Sequence, residues 1–375
     1  MQPRITRLYI NNYRSFVNFE LRPGRRSLLL GYNGSGKSSV FDVVTGIRDL
    51  VRTNSDVKEV FPTDTVTKFG GSPEQRFELD IDTERGMLRY ALRVSHQLEE
   101  KTATIASEEL TLEGKPLYSF ADGEVWLLSE GETVAKGPFQ FSPQRSYLAS
   151  FDPKTQFSPI GLFKNFLERC WILRLDPLRM NASAPSEDGF FMGNGVNFAS
   201  YCRHVLQEAP ENMQQAHEAL REIIPGFRNL RMQSAGRSKV LVVTFRYPGG
   251  NTYDIDFDAL SDGQKTLVVL YTVLHVIARD RPVLWLDEPD NFVAIREIQP
   301  FLTELSDISD ETGLQVILIS HSPEVIDYIG PEGAILLERP EGGHTRIGTL
   351  PTGGALRLSE LMARGWLAGG ANGAS

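Results

Sequence analysis

A glycine-rich segment near the start of the chain has the residue spacing of a phosphate-binding loop. Residues 31–38 read Gly-Tyr-Asn-Gly-Ser-Gly-Lys-Ser, which fits the pattern GxxxxGK followed by Ser or Thr. An apolar run at 27–30 precedes the loop, and the residues after it, 38–50, have the composition of a helix. Glycines allow backbone N–H groups to surround a phosphate, and the start of a helix adds partial positive charge. The segment therefore predicts a nucleotide site.

Two side chains of this loop carry functional groups that can bind phosphate or a metal ion. We expect Lys37 to reach the β- and γ-phosphates of the nucleotide and Ser38 to offer its hydroxyl to Mg²⁺. The predicted cofactors are therefore ATP and Mg²⁺. The residues expected to line the phosphates are Gly31, Asn33, Gly34, Ser35, Gly36, Lys37, Ser38 and Ser39.

Two adjacent carboxylates end a second apolar run. Val-Leu-Trp-Leu at 283–286 is followed by Asp287 and Glu288, and ligand sites of α/β proteins assemble at the carboxyl ends of parallel strands. Asp287 is the candidate for holding the Mg²⁺ shell. Glu288 is the candidate general base for a water molecule, because phosphoryl transfer to water needs a positioned proton acceptor.

Polar residues also mark a helix start and another strand end. Ser261 has the residue type of an N-cap for a helix that runs to about residue 278, and Gly263 allows close approach of the backbone. His321 follows the apolar run 314–319, at the sheet edge where phosphates would lie.

The remaining sequence indicates the elements that position these residues. Residues 5–30 and 75–140 alternate in short apolar runs, which predicts paired strands and an antiparallel lobe. Residues 163–175 and 197–224 carry apolar positions at helical spacing, which predicts a helical lobe. No heptad pattern persists, so we expect no long coiled-coil arm.

Composition places the chain among globular proteins. Its 375 residues are 41% hydrophobic and 23% charged, and the formal net charge of −9 argues against a protein that coats nucleic acid through its overall field. Cys170 and Cys202 lack metal-type spacing, which is typical of reduced thiols. The N-terminal residues lack a signal-peptide core, and no apolar stretch approaches membrane-spanning length, so a soluble, cytoplasmic protein without membrane contact is expected.

The order of these motifs resembles the RecF, SMC and OLD branch of ABC ATPases. Tyr13-Arg-Ser-Phe16 precedes the phosphate loop, Leu-Ser-Asp-Gly-Gln at 260–264 resembles the ABC signature, and Asp-Glu-Pro-Asp-Asn at 287–291 resembles Walker B. More narrowly, the sequence is similar to the stand-alone bacterial AAA family predicted ATPases of that branch. The resemblance implies an α/β ABC head with a parallel P-loop sheet, an antiparallel β-lobe and an inserted helical lobe. We assign the head to residues 1–150 and 240–367, the helical lobe to 151–239 and a flexible tail to 368–375.

The resemblance also implies a working unit of two copies. Ser261, Gly263 and Gln264 of one subunit would complete the ATP site on Lys37 of the other, so that ATP closes the dimer and hydrolysis by Glu288 opens it. His321 resembles the switch histidine that contacts the γ-phosphate.

Three positions of the family pattern stay open or depart from it. Arg14 matches a basic position that in relatives lies near the phosphates, with a plain surface arginine as the alternative. Gln140 and Gln144 both fall where a Q-loop would join the two lobes. Ala294 stands where relatives often carry His or Asp in the D-loop.

Two purposes are compatible with such a dimer. The first is an ATP-gated clamp that acts on DNA, as in DNA repair. The second is a regulatory scaffold for a separately encoded effector such as a nuclease, as in anti-phage defence, since the last 45 residues are too short for the Toprim domain of OLD nucleases. The basic residues available for DNA are Arg22, Arg25, Arg26, Arg228, Arg231, Arg237 and Lys239.

Other P-loop classes fit the sequence less well. A membrane-transporter ATPase is disfavoured by the SMC-type motif at residues 13–16. A small-molecule kinase or GTPase is disfavoured by residues 261–264 and His321, and the lack of an Asn-Lys-x-Asp motif favours ATP over GTP.

Overall fold

The computed structural model describes residues 2–127, 136–151, 158–236, 238–350 and 356–363. The chain divides into two compact units: the first combines Met1–Cys170 with Pro331–Ser375, and the second is Trp171–Gly330. Arg237 and the predicted tail at 368–375 lie outside the described residues. The predicted division into a head and a helical lobe stays a prediction.

The first unit contains an eight-stranded antiparallel sheet in the order β2-β1-β4-β5-β6-β7-β8-β9. Its strands are β1 (Arg4–Asn11), β2 (Phe19–Leu21), β4 (Glu74–Thr83), β5 (Gly86–Gln97), β6 (Thr102–Leu112), β7 (Lys115–Ala121), β8 (Glu124–Leu127) and β9 (Lys136–Gln140). Strand β5 shows why the sequence forms a sheet: Leu88, Tyr90 and Leu92 are buried on one face, while Arg89 and Arg93 lie on the other. The predicted antiparallel lobe is present in the described residues.

The phosphate-loop sequence of the first unit lies between a buried strand and a helix. Strand β3 (Arg26–Leu30) ends just before it and pairs in parallel with β17 (Ala334–Glu338), which pairs with the short antiparallel β18 (Arg346–Ile347). Helix α1 (Lys37–Thr53) begins inside the motif and buries Val40, Val44 and Ile47 at helical spacing. The other helices of this unit are α2 (Val57–Val60), α3 (Pro159–Arg169) and α9 (Leu358–Ala363).

The second unit contains a parallel pair and a four-stranded antiparallel sheet. Strand β15 (Val283–Asp287) is fully buried and pairs in parallel with β16 (Gln315–Ile319), with β10 (Cys170–Leu173) on its other side. The antiparallel sheet consists of β11 (Ser183–Ala184), β12 (Phe227–Ala235), β13 (Ser238–Arg246) and β14 (Thr252–Asp256). The helices are α4 (Phe198–Glu208), α5 (Pro210–Ile223), α6 (Asp262–Thr272), α7 (Ile295–Thr312) and α8 (Pro323–Gly333), which is kinked at Gly330.

Three helices differ from their predicted extents. The helix predicted at 163–175 ends at Arg169, because Cys170–Leu173 is rich in aromatic and apolar residues and pairs beside β15. The helix predicted at 197–224 is two helices, because Pro210 cannot continue α4 and instead begins α5. The helix after Ser261 is α-helical only as far as Thr272 and continues as a π-helix at Val273–Ile277.

Among the described residues, no helix combines the length and the apolar character that crossing a membrane requires.

Candidate functional site

The backbone of the phosphate loop adopts conformations that only glycine accepts readily. Gly31 has φ 144° and Gly36 has φ 100°. A Cβ atom at Gly31 would lie 2.3 Å from the Leu337 carbonyl oxygen, and one at Gly36 would lie 2.8 Å from Cζ of Phe16. The glycines of the motif are therefore required by the fold of the first unit as well as by phosphate chemistry.

Two residues outside the motif hold the carbonyl groups of this loop. Arg339 donates from Nη1 to the Gly34 carbonyl oxygen at 3.0 Å, and the Thr345 hydroxyl donates to the Ser35 carbonyl oxygen at 2.8 Å. The C=O and N–H groups of a trans peptide point in opposite directions. The Ser35–Gly36 peptide therefore directs its N–H group away from Thr345, as a phosphate-binding loop requires.

Lys37 and the serines that follow it complete the loop. The Lys37 side chain is buried and folds over the loop, where Nζ donates to the carbonyl oxygens of Gly31 (2.7 Å) and Tyr32 (3.2 Å). The hydroxyl-bearing Ser38 is exposed at the start of α1. The buried Ser35 hydroxyl has no hydrogen-bond partner among the described residues. Backbone donors, an ammonium group and an exposed hydroxyl fit the phosphates of a nucleotide and a bound Mg²⁺.

Arg14 lies against the first turns of α1. Its Nη1 atom donates to the Ser39 hydroxyl at 3.0 Å and to Asp42 Oδ2 at 2.5 Å. Nearly half of the Arg14 side chain is exposed. Arg14 is thus placed beside the phosphate loop, and its role toward ATP stays a prediction.

We expect Thr345→Val to weaken nucleotide binding about tenfold, because the isosteric side chain leaves the buried Ser35 carbonyl without this donor, a loss on the order of 1–3 kcal/mol. Thr345 is only 1% exposed, so water cannot easily replace its hydroxyl. Titration with a fluorescent ATP analogue would measure the change, and Thr345→Ser, which keeps the hydroxyl, should bind like the wild type. Equal affinity of the valine variant would show that this hydrogen bond does not organise the loop.

The carboxylates predicted at the end of β15 lie close together in the second unit. Asp287 is buried, and its Oδ2 atom accepts a hydrogen bond from Arg174 Nε at 2.6 Å. The Glu288 N–H donates to the Ile319 carbonyl oxygen at 2.8 Å, which continues the β15–β16 pairing by one residue. Glu288 has φ 51°, in the left-handed region that non-glycine residues rarely adopt. Such outliers are common at functional sites.

The side chain of Glu288 is held by two neighbours. Asn291 Nδ2 donates to Glu288 Oε2 at 2.7 Å, and His321 Nε2 lies 3.7 Å from Glu288 Oε1. Glu288 and His321 are partly exposed, so water can reach both. The structure thus brings the predicted base and the predicted switch histidine together.

A third acid, Asp290, lies behind Glu288. Burial raises the pKa of Asp290, and a hydrogen bond with Ser320 partly opposes that rise. Its Oδ1 atom is buried and has no partner among the described residues.

The predicted signature forms a capped helix start. The Ser261 hydroxyl accepts from the Gln264 N–H at 3.3 Å, and the Ser261 N–H donates to Gln264 Oε1 at 3.2 Å, which is a complete capping box. A Cβ atom at Gly263 would lie 2.4 Å from the Phe292 carbonyl oxygen. The start of α6 therefore packs directly on the segment that follows Glu288, and Ser261 is exposed there.

The two Q-loop candidates occupy different settings in the first unit. Gln140 is the last residue of β9, and its Nε2 atom donates to Glu124 Oε1 on the neighbouring strand at 3.4 Å. Gln144 lies in the following loop, is exposed, and its carbonyl oxygen accepts from the Val57 N–H at 2.7 Å. The assignment of Gln140 or Gln144 as the Q-loop residue stays a prediction.

Sequence reasoning did not identify Arg174, Arg339 or Thr345. Arg174 and Arg339 each follow directly after a strand, in the same way as Glu288 follows β15. For Arg339 this strand end was the available signal, whereas Arg174 fell inside the helix predicted at 163–175. Thr345 carries no comparable signal, because its contacts with Ser15 and Ser35 join distant parts of the sequence.

The comparisons with known proteins agree on the kind of fold. Residues 27–327 match the family model described as "AAA domain, putative AbiEii toxin, Type IV TA system". Among curated proteins, none matches this sequence significantly.

Solved structures similar to this chain include heads of SMC proteins. An SMC head bound to the C-terminal winged-helix domain of ScpA has a TM-score of 0.57 at 16% identity, covering 96% of this chain and 99% of that one. The SMC head domain from Thermotoga maritima has a TM-score of 0.50 at 17% identity, covering 93% of this chain and 100% of that one. A third structure is an SMC head with an extended coiled coil, bound to the C-terminal domain of ScpA derived from Pyrococcus furiosus. It has a TM-score of 0.54 at 14% identity, covering 96% of this chain and 98% of that one. At identities this low, the TM-scores show a shared fold and nothing further, and the predicted fold class is confirmed.

Proposed function

This chain belongs to the AAA-domain family whose model it matches over residues 27–327, and from that membership we propose that it binds and hydrolyses ATP as a dimer closed around two ATP molecules. The predicted resemblance to the SMC and RecF type of P-loop ATPase is confirmed. Hydrolysis, the dimer and its purpose are proposals. The observation that carries the proposed hydrolysis is the Glu288 carboxylate, which Asn291 holds beside His321, directly after the buried Asp287.

The residues of the phosphate loop would bind the nucleotide. The Gly36 N–H and the N-terminus of α1 would donate to phosphate oxygens, and the Lys37 ammonium would exchange its carbonyl partners for the β- and γ-phosphates. Mg²⁺, when bound, would neutralise charge that develops on the phosphates. Ser38 and Asp287 would supply the hard oxygen ligands that this ion prefers.

Glu288 would then accept the proton of the attacking water. The hydrogen bond from Asn291 occupies Oε2, which leaves Oε1 on the side of His321. The imidazole could in turn donate to the γ-phosphate while the carboxylate takes the proton. A base fixed in this way supplies the positioned acceptor that hydrolysis of ATP needs.

The exposed start of α6 supports the dimer. Its capping box keeps the Ser261 backbone in place, while Gly263 packs on the Phe292 carbonyl and so links the signature to the segment after Glu288. In a dimer of the ABC type, Ser261 and Gly263 would complete the site on the partner copy's phosphate loop.

A mixing experiment tests both parts of this proposal. Lys37→Ala removes the phosphate contact, and Ser261→Arg blocks the signature, so each variant alone should lack turnover. In an equal mixture, each pair of unlike copies would hold one intact site, so part of the wild-type turnover should return. A mixture as inactive as its components would contradict a site shared between two copies.

The proposed dimer would act either on DNA or on a separately encoded partner protein. The pairing of charged side chains favours the partner protein. Arg22 pairs with Glu20, and Arg231 pairs with Asp254, so both of these predicted phosphate contacts already have an acidic neighbour. The family description names a toxin of a type IV toxin–antitoxin system, and the titles of two similar SMC heads name a bound ScpA domain. Turnover unchanged by double-stranded DNA at low salt would agree with a partner protein, and stimulation by DNA would favour the clamp.

A further inference from the structure

The predicted Mg²⁺ ligand Asp287 already has a cationic partner on its own unit. Arg174 follows directly after β10, the strand beside β15, and its N–H donates to the Gly193 carbonyl oxygen at 2.9 Å. Its Nε atom lies 2.6 Å from Asp287 Oδ2. The ion pair thus joins the ends of two neighbouring strands.

The two members of this pair differ in their freedom to move. The Asp287 side chain is 6% exposed, whereas the Arg174 side chain is 54% exposed. Asp287 ends a strand in which every residue is buried, so its carboxylate cannot turn to solvent. Any change at this ion pair must therefore come from the arginine, whose long side chain can move into water.

Arginine and Mg²⁺ compete for the same kind of oxygen. A guanidinium group is always charged and binds carboxylates through N–H groups, while Mg²⁺ takes carboxylate or water oxygens in a strict octahedral geometry. Two cations on one carboxylate repel each other, and that repulsion is only weakly screened next to a buried group.

We propose that Arg174 is a positioning residue that holds Asp287 in the nucleotide-free protein and is displaced when Mg²⁺ and ATP bind. This inference rests on the proposed function, since it concerns the same site. Arg174 gives the buried carboxylate a charged partner while no Mg²⁺ is bound, and it raises the Mg²⁺ concentration at which nucleotide binds.

The test compares Mg²⁺ titrations of the wild type and Arg174→Gln in the presence of a fluorescent ATP analogue. The glutamine variant should reach half-maximal binding at about tenfold lower Mg²⁺, which corresponds to about 1.4 kcal/mol. Arg174→Lys keeps a positive charge, so its half-maximal Mg²⁺ concentration should lie between those of the wild type and Arg174→Gln. This variant replaces Arg174→Gln in the test if the glutamine variant does not fold. Arg279→Gln is the control, because Arg279 forms an exposed pair with Glu311 in the same unit and should leave the midpoint unchanged.

Thermal unfolding gives a second readout that does not depend on turnover. Without Mg²⁺, Arg174→Gln should unfold at a lower temperature than the wild type, because the buried Asp287 carboxylate loses its ion pair with Arg174. Addition of Mg²⁺ and ATP should then raise its Tm by more than it raises that of the wild type. If Arg174→Gln has a lower Tm but Mg²⁺ and ATP raise it by the same amount as in the wild type, Arg174 has a structural role only, and the proposal is overturned.

The Mg²⁺ titration of the wild type distinguishes a failure of the proposed role of Arg174 from a failure of the proposed function. If the wild type binds nucleotide in a Mg²⁺-dependent way and Arg174→Gln has the same or a higher midpoint, the role of Arg174 is overturned and the proposed function stands. If the wild type shows no Mg²⁺-dependent binding, the proposed function fails and the role of Arg174 fails with it.

Discussion

Glu288→Gln is expected to reduce ATP turnover by roughly 10²- to 10³-fold, the range typical for loss of a general base. Glutamine keeps the size of the side chain and can still accept the hydrogen bond from Asn291, so the loop should keep its shape. The amide cannot take a proton from water. Nucleotide affinity should therefore stay near that of the wild type while hydrolysis stops.

Steady-state phosphate release and equilibrium binding of ATP would separate these two effects. Glu311→Gln makes the same change at an exposed glutamate of the same unit and should leave both unchanged. Turnover of Glu288→Gln at the wild-type rate would show that another group accepts the proton. Asp290, whose pKa is raised by burial, would then be the acid to replace next.

Lys37→Ala is expected to lower the affinity for ATP by about 10²-fold, because charge-assisted hydrogen bonds to phosphate are worth on the order of 1.5–3 kcal/mol. In the nucleotide-free protein the ammonium group binds the carbonyl oxygens of Gly31 and Tyr32. Removing it therefore also leaves these carbonyls without a donor, and the Tm should fall slightly.

Calorimetric titration with ATP and Mg²⁺ would measure this loss. Lys58→Ala is a suitable control, since Lys58 is exposed on α2 of the same unit and has no predicted contact with nucleotide. Wild-type affinity in Lys37→Ala would mean that residues 31–38 are a structural turn and not a nucleotide site.

Local sequence patterns were sufficient where one segment determines both structure and chemistry. The phosphate loop could be placed because its glycines, the strand before it and the helix after it are adjacent in sequence. The Ser261 cap could be predicted for the same reason, since its partner Gln264 is three residues away. Asp287 and Glu288 were visible as the polar end of an apolar strand.

Contacts between distant segments could not be predicted in this way. Arg174 and Asp287 are 113 positions apart, and Thr345 and Ser35 are 310 positions apart. Their pairing depends on which strands are neighbours, and local periodicity carries no information on strand order. The extra strand at Cys170–Leu173 was missed because a short apolar run fits a buried strand and a buried helix equally well.

The mass of Glu288→Gln in solution, measured by light scattering with Mg²⁺ and either ATP or ADP, tests the ATP-held dimer most directly. We expect a dimer with ATP, because the closed state forms but cannot hydrolyse its nucleotide, and a monomer with ADP. Lys37→Ala and Ser261→Arg introduced separately into this background should each abolish the dimer. A Glu288→Gln protein that binds ATP and stays monomeric would contradict the proposal that ATP holds two copies of this chain together.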